Sequence, residues 1–404
     1  MKTYQAPRGT KDIFGEEAAR FAYVKKVFSG LAVLCGYGEI VTPVFEDTAL
    51  FERSIGGGSD IVSKQMYTFP DKADRSLTLR PEGTAGVVRA AVENGLLRPL
   101  PKKLFYSGPM FRYEKPQKDR RRQFFQLGAE YFGQQTPSAD AEVIEMCAGT
   151  LSKLGIKYTL KINSIGCSSC RGEYEKKLLL FAESKKEQLC GDCKDRMKTN
   201  PLRILDCKNS ECKIVLKEAP LLSGALCGDC GKNFSRIKKF LSDMRISFEE
   251  DSSLVRGLDY YNGCVFEFYA EGARDAVAAG GRYDGLVKFL GGPDVPAAGF
   301  AIGVDRILPL IDFSQERPDY MIVSPGGATG ELFSLAGKIR ASGKICAVSA
   351  KAKLKNALKE ASYGGFRFAV IMGEDEEKNM TVTVRDLDNG QQKTIPKKEF
   401  IEKL

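Results

Sequence analysis

The chain has 404 residues, 43% hydrophobic and 28% charged, enough apolar matter for about two or three domains with real cores. It contains no histidine and no tryptophan, and the first absence excludes Ser-His-Asp and Cys-His nucleophiles, HExxH zinc sites and imidazole general bases. Its net charge of +9 fits a polyanionic partner, and solubility alone would also account for it.

In chain order, the opening segment MKTYQAPRGTKDIF lacks the apolar block of a signal peptide, and no run reaches membrane-spanning length. A cytoplasmic protein with no membrane partner is expected. Phe21, Val24, Phe28, Leu31 and Leu34 recur at helical spacing over 16–34, and Gly36 with Gly38 ends that helix before the extended EIVTPVFE, where Pro43 suits an edge or an interface. SIGGGSD (54–60) is glycine-rich but lacks the GK[ST] of a phosphate-cradling loop, so a lid or plain turn is expected. SLTLRPEGT (76–84) reads as a strand and 85–97 as an apolar helix. Between 104 and 130, KLFYSGPMFRYE and RQFFQLGAEYF bracket the polar KPQKDRRR and predict an antiparallel hairpin.

A basic, Cys-rich, mostly helical insertion is expected at about 168–250. Residues 151–250 hold 20 Lys and Arg against 13 Asp and Glu, a surplus of seven, which is where phosphate contacts would concentrate. The same region carries Cys167 and Cys170, Cys190 and Cys193, Cys207 and Cys212, and Cys227 and Cys230, three of these pairs being CxxC. In a reducing compartment this spacing points to zinc thiolates before disulfides, and without histidine a structural site must be all-cysteine. Cys190, Cys193, Cys227 and Cys230 are the candidate zinc ligands; reduced thiols in a helical insert, or a redox-sensitive surface, are the competing readings. Cys35, Cys147, Cys264 and Cys346 sit in apolar settings that suit a core.

LVRGLDYYNGCVFEF (254–268) sets Arg256, Asp259 and a tyrosine pair beside an apolar strand. Alternation puts Cys264, Phe266 and Phe268 on one face and Val265, Glu267 and Tyr269 on the other. Asn262-Gly263 is also a hairpin-turn signal in its own right. The β pattern continues to 299 and is expected to end in a glycine-punctuated helix start, AAGFAIGVDRILPL. Beyond Pro318, DYMIVSP, a helix at 329–342, KICAVSA, a helix at 351–362 and RFAVIMG alternate, implying a small parallel α/β domain with a final strand pair at 380–397.

Five polar segments remain that a core does not need: RPEGT (80–84), FRYEKPQKDRRRQFFQLGAE (111–130), RGLDYYNG (256–263), AGGRYDGLV (279–287) and GFAIGVDRI (299–307). Together with GYGEIVTPVFED (36–47) they resemble, in order and nearly end to end, the histidyl-tRNA synthetases, which are class II enzymes. The class I HIGH signature is impossible without histidine. The resemblance implies an α+β fold, an antiparallel class II sheet core flanked by helices, with the Cys-rich insertion and a C-terminal α/β domain. It divides the chain into a catalytic domain, 1–318, and an anticodon-binding domain, 319–404. It further implies ATP with Mg2+, L-histidine and the tRNA for histidine as partners, a homodimer formed through GYGEIVTPVFED, and the insertion on the acceptor arm. Lys351, Lys353, Lys355 and Lys359 would then meet the anticodon region, unless they are simply a solvated helix face.

Residue by residue, the resemblance places Arg112 on the α-phosphate and the substrate carboxylate, Arg306 on the γ-phosphate, and Arg256 as the family's extra arginine where other class II enzymes use a metal. In-line attack of a carboxylate on phosphorus loads charge onto phosphate oxygens, so fixed cations are what such chemistry needs. Glu114, Arg120 and Arg122 would meet the nucleotide and the tRNA end. Glu82, Thr84 and Gln126 are assigned to the α-amino end and Glu130 with Tyr261 to the imidazole, while Tyr260 and Tyr283 line the pocket. A neutral imidazole offers one donor and one acceptor nitrogen, which a carboxylate and a phenol read completely. The competing readings are solvated surface charges for the arginines and ion pairs with neighbouring arginines for Glu82 and Glu130. A non-catalytic histidine sensor and an RNA-binding module of the same fold are the alternative functions, although both typically lose motif arginines or the tail domain. The chain departs from the family at Tyr113 and Phe125, where histidines are usual, and at Ala129, where cysteine is frequent. A chain without histidine can also be translated while charged histidyl-tRNA is scarce; a histidine-poor genome would give the same composition.

Overall fold

The computed structural model describes residues 4–56, 59, 61–114, 121–273 and 275–404. Two compact units divide the chain, Met1–Phe313 and Ser314–Leu404.

In the first unit α1 (Gly15–Leu34) leads to β1 (Gly38–Glu39), β2 (Phe45–Asp47), α2 (Thr48–Ile55), β3 (Tyr67–Pro70), β4 (Ser76–Leu79) and α3 (Thr84–Glu93). Next come β5 (Lys102–Phe111), β6 (Gln123–Phe132), α4 (Pro137–Lys153) and β7 (Tyr158–Ser164). The insertion follows with α5 (Ser168–Ser184), α6 (Gly191–Thr199), α7 (Ser210–Leu216) and α8 (Gly228–Asp243). β8 (Glu249–Glu250), β9 (Asn262–Ala270), β10 (Ala278–Arg282), α9 (Leu286–Phe289), β11 (Ala297–Gly303) and α10 (Val304–Ile307) complete the unit. Eight strands form one sheet in the order β1-β5-β6-β11-β10-β9-β7-β8, antiparallel except for the parallel edge pairs β1/β5 and β7/β8. A smaller antiparallel sheet has the order β2-β4-β3.

Strand alternation assigns the two faces of the large sheet. Phe105, Leu127, Ala129, Phe266, Phe268 and Phe300 point into a core shared with α1, α4 and α8. Phe28 of α1 is fully buried there, edge-on to Phe105 at 5.8 Å between ring centroids, and Phe28→Ala would cost about 3–5 kcal/mol. The opposite face packs Val87, Val88 and Ala91 of α3, with Tyr174 and Leu178 of α5, against Tyr106, Tyr261, Val265 and Tyr283. The predicted end of α1 is a Schellman closure: Gly36 adopts φ +80°, its N–H reaches the Val33 carbonyl at 3.0 Å, and the Tyr37 N–H reaches Ala32 at 2.9 Å.

Three expectations need correction. AAGFAIG is the strand β11, not a helix start; Ala298, Phe300 and Ile302 enter the core, and the helix begins only at Val304. The small residues between them, Gly299 and Ala301, serve the other face, where a Cβ on Gly299 would lie 1.8 Å from Glu130 Oε2. Asn262-Gly263 does not reverse the chain: Gly263 donates to Gly166 O at 2.9 Å and accepts from Ile165 N–H at 2.8 Å, so these residues run straight into β9 beside the exit of β7. EIVTPVFE is two short strands on either side of Pro43 rather than one. Part of SIGGGSD and of the KPQKDRRR loop lies outside the described residues.

The second unit holds β12 (Tyr320–Val323), α11 (Gly330–Ala341), β13 (Cys346–Val348), α12 (Leu354–Tyr363), β14 (Phe368–Ile371), β15 (Thr381–Asp386) and β16 (Gln392–Pro396). Its sheet runs β13-β12-β14-β15-β16, the first three strands parallel and the last two added antiparallel, as the alternation and the closing strand pair predict. Among the described residues, no helix is long and apolar enough to cross a membrane.

Candidate active site

A cavity of about 200 Å³ opens on the sheet face opposite α1 and α4. Its wall includes Arg112 from the exit of β5, Arg256 from the segment entering β9, and Arg306 from α10, three segments far apart in sequence. Glu82, Thr84, Glu114, Gln126, Tyr260 and Tyr261 line the same cavity. The predicted side chains thus converge because β5, β6, β11, β10 and β9 are consecutive neighbours in the sheet.

Each arginine is held by a different device. Arg112 donates from Nε to the Pro81 carbonyl at 2.8 Å and lies over the Phe124 ring at 5.3 Å, while burial pulls its pKa down against the pull of Glu114 and Glu82. Arg306 donates to the Ala276 carbonyl at 2.5 Å. Arg256 pairs with Glu267 of β9 and sits 5.6 Å from the centre of the Tyr261 ring. Burial disfavours its charge, but Glu267 and the two phenols outweigh that, and the net shift is upward. Glu267 also accepts the Tyr269 hydroxyl, so one carboxylate orients both side chains. This residue was missed as a site residue; the signal was a charge in the middle of a half-buried strand, on the face with Val265 and Tyr269.

The other groups of the wall are carboxylates, hydroxyls and an amide, with Glu82 close enough to Arg112 for their charges to interact. Glu82 accepts the backbone N–H groups of Thr84 at 2.7 Å and Ala85 at 2.8 Å, so it closes the first turn of α3 while facing the cavity. Burial raises its pKa, and those N–H groups and Arg112 oppose the rise. Gln126, on the cavity wall, has its Oε1 buried without a hydrogen-bond partner among the described residues, an acceptor left over by the protein itself. Glu130 and Tyr283 differ from expectation: neither is on the cavity wall. Glu130 is fully buried behind it, accepting Thr84 Oγ1–H at 2.8 Å and the Tyr283 hydroxyl, and burial pushes its carboxyl up to about 8. Tyr260, Tyr261 and Tyr283 form one aromatic group with centroids 4.7 to 6.4 Å apart.

Arg120 lies outside the described residues. Arg122 turns away from the cavity wall, its guanidinium 4.0 Å over the Tyr113 ring. Arg121 lines the cavity instead, paired with Asp305 at 3.3 Å. The positions that depart from the family's histidines are filled by aromatic packing: Tyr113 is edge-on to Tyr67 at 5.5 Å and Phe125 edge-on to Phe21 at 4.8 Å.

The eight insertion cysteines form two tetrads, in each of which all four sulfurs lie within 4.8 Å of one another: Cys167, Cys170, Cys227, Cys230, and Cys190, Cys193, Cys207, Cys212. The expected quartet of Cys190, Cys193, Cys227 and Cys230 is therefore corrected. Its halves belong to different groups, because α5 and α8 bring their own N-termini together while α6 meets the turn and helix that follow it. Cys167, Cys190 and Cys227 each cap a helix N-terminus, and the N–H groups of the first turn hold the Cys167 thiol down at about 7. Either tetrad can hold a metal ion. Of the remaining cysteines, Cys147, Cys264 and Cys346 are buried and Cys35 half-buried.

An antiparallel sheet carrying converging arginines on one face, with GYGEIVTPVFED (36–47), FRYE (111–114) and GVDR (303–306) on its elements, defines the catalytic core of a class II aminoacyl-tRNA synthetase. The profile of the family described as Histidyl-tRNA synthetase matches residues 9–307, and that described as Anticodon binding domain matches residues 320–404. The Histidine–tRNA ligase of Aquifex aeolicus (strain VF5) is 44% identical over 98% of this chain and 99% of its own. The crystal structure of apo histidyl-tRNA synthetase from S. aureus superposes with a TM-score of 0.81 at 35% identity, covering 99% of both chains. A structure titled as an ATP phosphoribosyltransferase regulatory subunit/histidyl-tRNA synthetase from Bacillus halodurans C shares the fold, with a TM-score of 0.69 at 22% identity over 92% of this chain and 99% of that one. The chain belongs to the histidyl-tRNA synthetase family.

Proposed function

We propose that the cavity performs both half-reactions of a histidine–tRNA ligase, with the arginines as its electrostatic machinery and the carboxylates, hydroxyls and amide as its histidine pocket. The activity is that of the family: ATP and L-histidine give histidyl-adenylate and pyrophosphate, and the acyl group passes to the 3′ end of the tRNA. The histidine carboxylate oxygen forms a bond to the α-phosphorus as the bond to pyrophosphate breaks. Arg256 and Arg112 neutralise the charge that grows on the α-phosphate oxygens; Arg306 and Arg121 hold the outgoing phosphates. Glu82, Thr84 and Gln126 take the α-ammonium, and Tyr261 and Glu130 read the two imidazole nitrogens, Glu130 through an opening of its contact with Thr84 or Tyr283. Such a polar pocket rejects amino acids lacking the ring nitrogens by about 10⁴ to 10⁵ without editing. In the transfer step the terminal ribose hydroxyl attacks the acyl carbon and AMP leaves; a phosphate oxygen of the adenylate takes the proton, so no protein base is required.

ATP enters as its magnesium complex, and the two cysteine tetrads hold structural zinc. Residues 1–318 act as the catalytic domain, working in the cytoplasm, with the basic insertion on the acceptor arm. Residues 319–404 read the anticodon arm, using the exposed Lys351, Lys353, Lys355 and Lys359. A second copy covers GYGEIVTPVFED (36–47), whose neighbourhood exposes Val33, Leu34, Val41, Val44 and Phe45. The observation that carries the catalytic reading is the meeting of Arg112, Arg256 and Arg306 on one cavity that also presents Glu82, Gln126 and Tyr261. Histidine-dependent exchange of pyrophosphate into ATP tests it. Exchange with histidine alone among the amino acids is expected; histidine binding without exchange would make the chain a sensor.

A further inference from the structure

The insertion has little core of its own. Apart from its cysteines, the cluster at its tip consists of Ala182, Leu189, Met197 and Ile204 with a few partly buried neighbours, too little apolar surface to fix several short helices. What it has instead is eight thiols arranged four and four. Within the tetrads, Cys167 and Cys170 sulfurs are 3.6 Å apart and Cys190 and Cys207 sulfurs 3.7 Å apart. Four sulfurs at zinc-bond length around one tetrahedral ion lie about 3.8 Å from one another, whereas a disulfide would need about 2.05 Å. In each tetrad a backbone N–H from one limb meets a sulfur of the other, Cys227 to Cys170 Sγ and Cys190 to Cys212 Sγ, both at 3.1 Å. A set that spans only 4.8 Å encloses a single ion.

The first tetrad lies at the root of the insertion, where β7 passes into α5 and where α8 begins. From there, contacts run directly to the segment that carries Arg256, Tyr260 and Tyr261. Arg171, four residues after Cys167, donates to the Asp259 carbonyl at 3.1 Å. Asn200, which ends α6 behind the second tetrad, donates its amide to the Asp259 carboxylate. Gly166, next to Cys167, accepts the Gly263 N–H at 2.9 Å. On its other side Asp259 packs against Gly56: a Cβ there would lie 2.2 Å from Asp259 Oδ2, so the carboxylate occupies space that only a glycine leaves open. Among the described residues Asp259 is held from the insertion, by Arg171 and Asn200, rather than by Arg112 or Arg306, and it adjoins Tyr260.

We propose that the chain binds two zinc ions and that the metal-fixed insertion clasps Asp259, a positioning residue, so that zinc loading sets the affinity for histidine. This rests on the assignment of Arg256, Tyr260 and Tyr261 to histidine binding made above. Metal at the root tetrad fixes the start of α5 and hence Arg171; with that anchor lost, the loop carrying the three side chains gains freedom that histidine must remove on binding. The effect therefore falls on KM for histidine more than on the rate at saturation, in the ten- to hundredfold range of supporting residues around a site.

The test is zinc analysis of the full chain purified under reducing conditions, together with pyrophosphate exchange at varied histidine. The wild type is expected to hold two zinc ions, and Cys230→Ser one, with KM for histidine raised at least tenfold and kcat changed less than threefold. Cys230→His should restore both the second ion and the KM. Arg171→Met, which cuts the clasp without touching a thiol, should keep two ions and show the raised KM, and it decides the matter should Cys230→Ser not fold. Wild-type protein without zinc, or with iron in its place, overturns the metal assignment. Two ions in the wild type with an unchanged KM in Cys230→Ser or Arg171→Met overturns the clasp. Wild-type exchange that does not depend on histidine would instead remove the assignment of the loop on which the proposal rests.

Discussion

The carboxylates and the guanidinium groups around the cavity are built on opposite terms. Of the carboxylates, Glu130 is fully buried behind the wall and Glu82 nearly so on it, and their oxygens already bond Thr84, Ala85 or Tyr283. Among the arginines, Arg112 and Arg306 donate to main-chain carbonyls, while Arg256 and Arg121 are paired with carboxylates, Glu267 and Asp305. A buried network of complete bonds fixes shape and discriminates by what it leaves unpaired. Arginines held by neutral carbonyls keep most of their charge for a phosphate, because a carbonyl orients a guanidinium without neutralising it. On the proposed reading, the carboxylate set recognises and the guanidinium set stabilises developing charge.

Substitutions in the two sets should therefore fail differently, and the largest effect belongs to the guanidinium groups. Arg256→Ala should lower the rate of histidine-dependent exchange by about 10² to 10³, the usual loss for one preorganised stabilising group, while the unfolding midpoint moves little. Near-normal exchange would remove Arg256 from the chemistry and with it the contrast between the sets.

Among the carboxylates the expected loss is in affinity. Glu130→Gln keeps the size of the side chain but replaces a carboxyl able to give up its proton and accept an imidazole N–H, its proposed role, and should raise KM for histidine about ten- to hundredfold with a smaller change in kcat. The same variant carries a pH signature. Burial lifts Glu130 from 4.5 to about 8, so between those values the folded chain binds a proton that the unfolded chain has released. The contribution of this group to stability then falls as pH rises through that window. Urea unfolding of the wild type and of Glu130→Gln at pH 5 and pH 8 should show the variant losing less stability across the interval; equal losses would mean that Glu130 is ionised in the folded protein throughout.

Much of this contrast could be read before any coordinates. Polar runs such as RPEGT, RGLDYYNG and GFAIGVDRI interrupt strands where a core gains nothing from them, and the alternation around Phe266 correctly sorted the two faces of β9. Partnerships across the sheet were not legible. That Glu267 would hold Arg256, that Glu130 would retreat behind Thr84 and Tyr283, and that Gly299 exists to make room for Glu130 all depend on register between β6, β11, β10 and β9, which local spacing does not encode. The cysteines teach the same lesson: CxxC pairs were visible, but their grouping is set by which helix N-termini meet. β11 misled because Gly299, Ala301 and Gly303 resemble helix punctuation when they are the small side of a strand facing a cavity.

The smallest effect tests how sharply the guanidinium set is bounded. Arg121 and Arg122 are neighbours of identical charge, so any argument from net charge alone predicts equal consequences. Their surroundings differ: Arg121 faces the cavity beside Asp305, while Arg122 lies flat over Tyr113 with its aliphatic stem against Gly9. Arg121→Ala should raise KM for ATP about tenfold, the value of a charged hydrogen bond of about 1.5 kcal/mol. Arg122→Ala should leave KM for ATP within about threefold and cost only about 0.5–1 kcal/mol of stability through the lost contact with the ring. Steady-state exchange at varied ATP and a thermal melt of each variant separate the two, and equal rises in KM would mean that the set is defined by a diffuse positive field rather than by the placement of individual guanidinium groups.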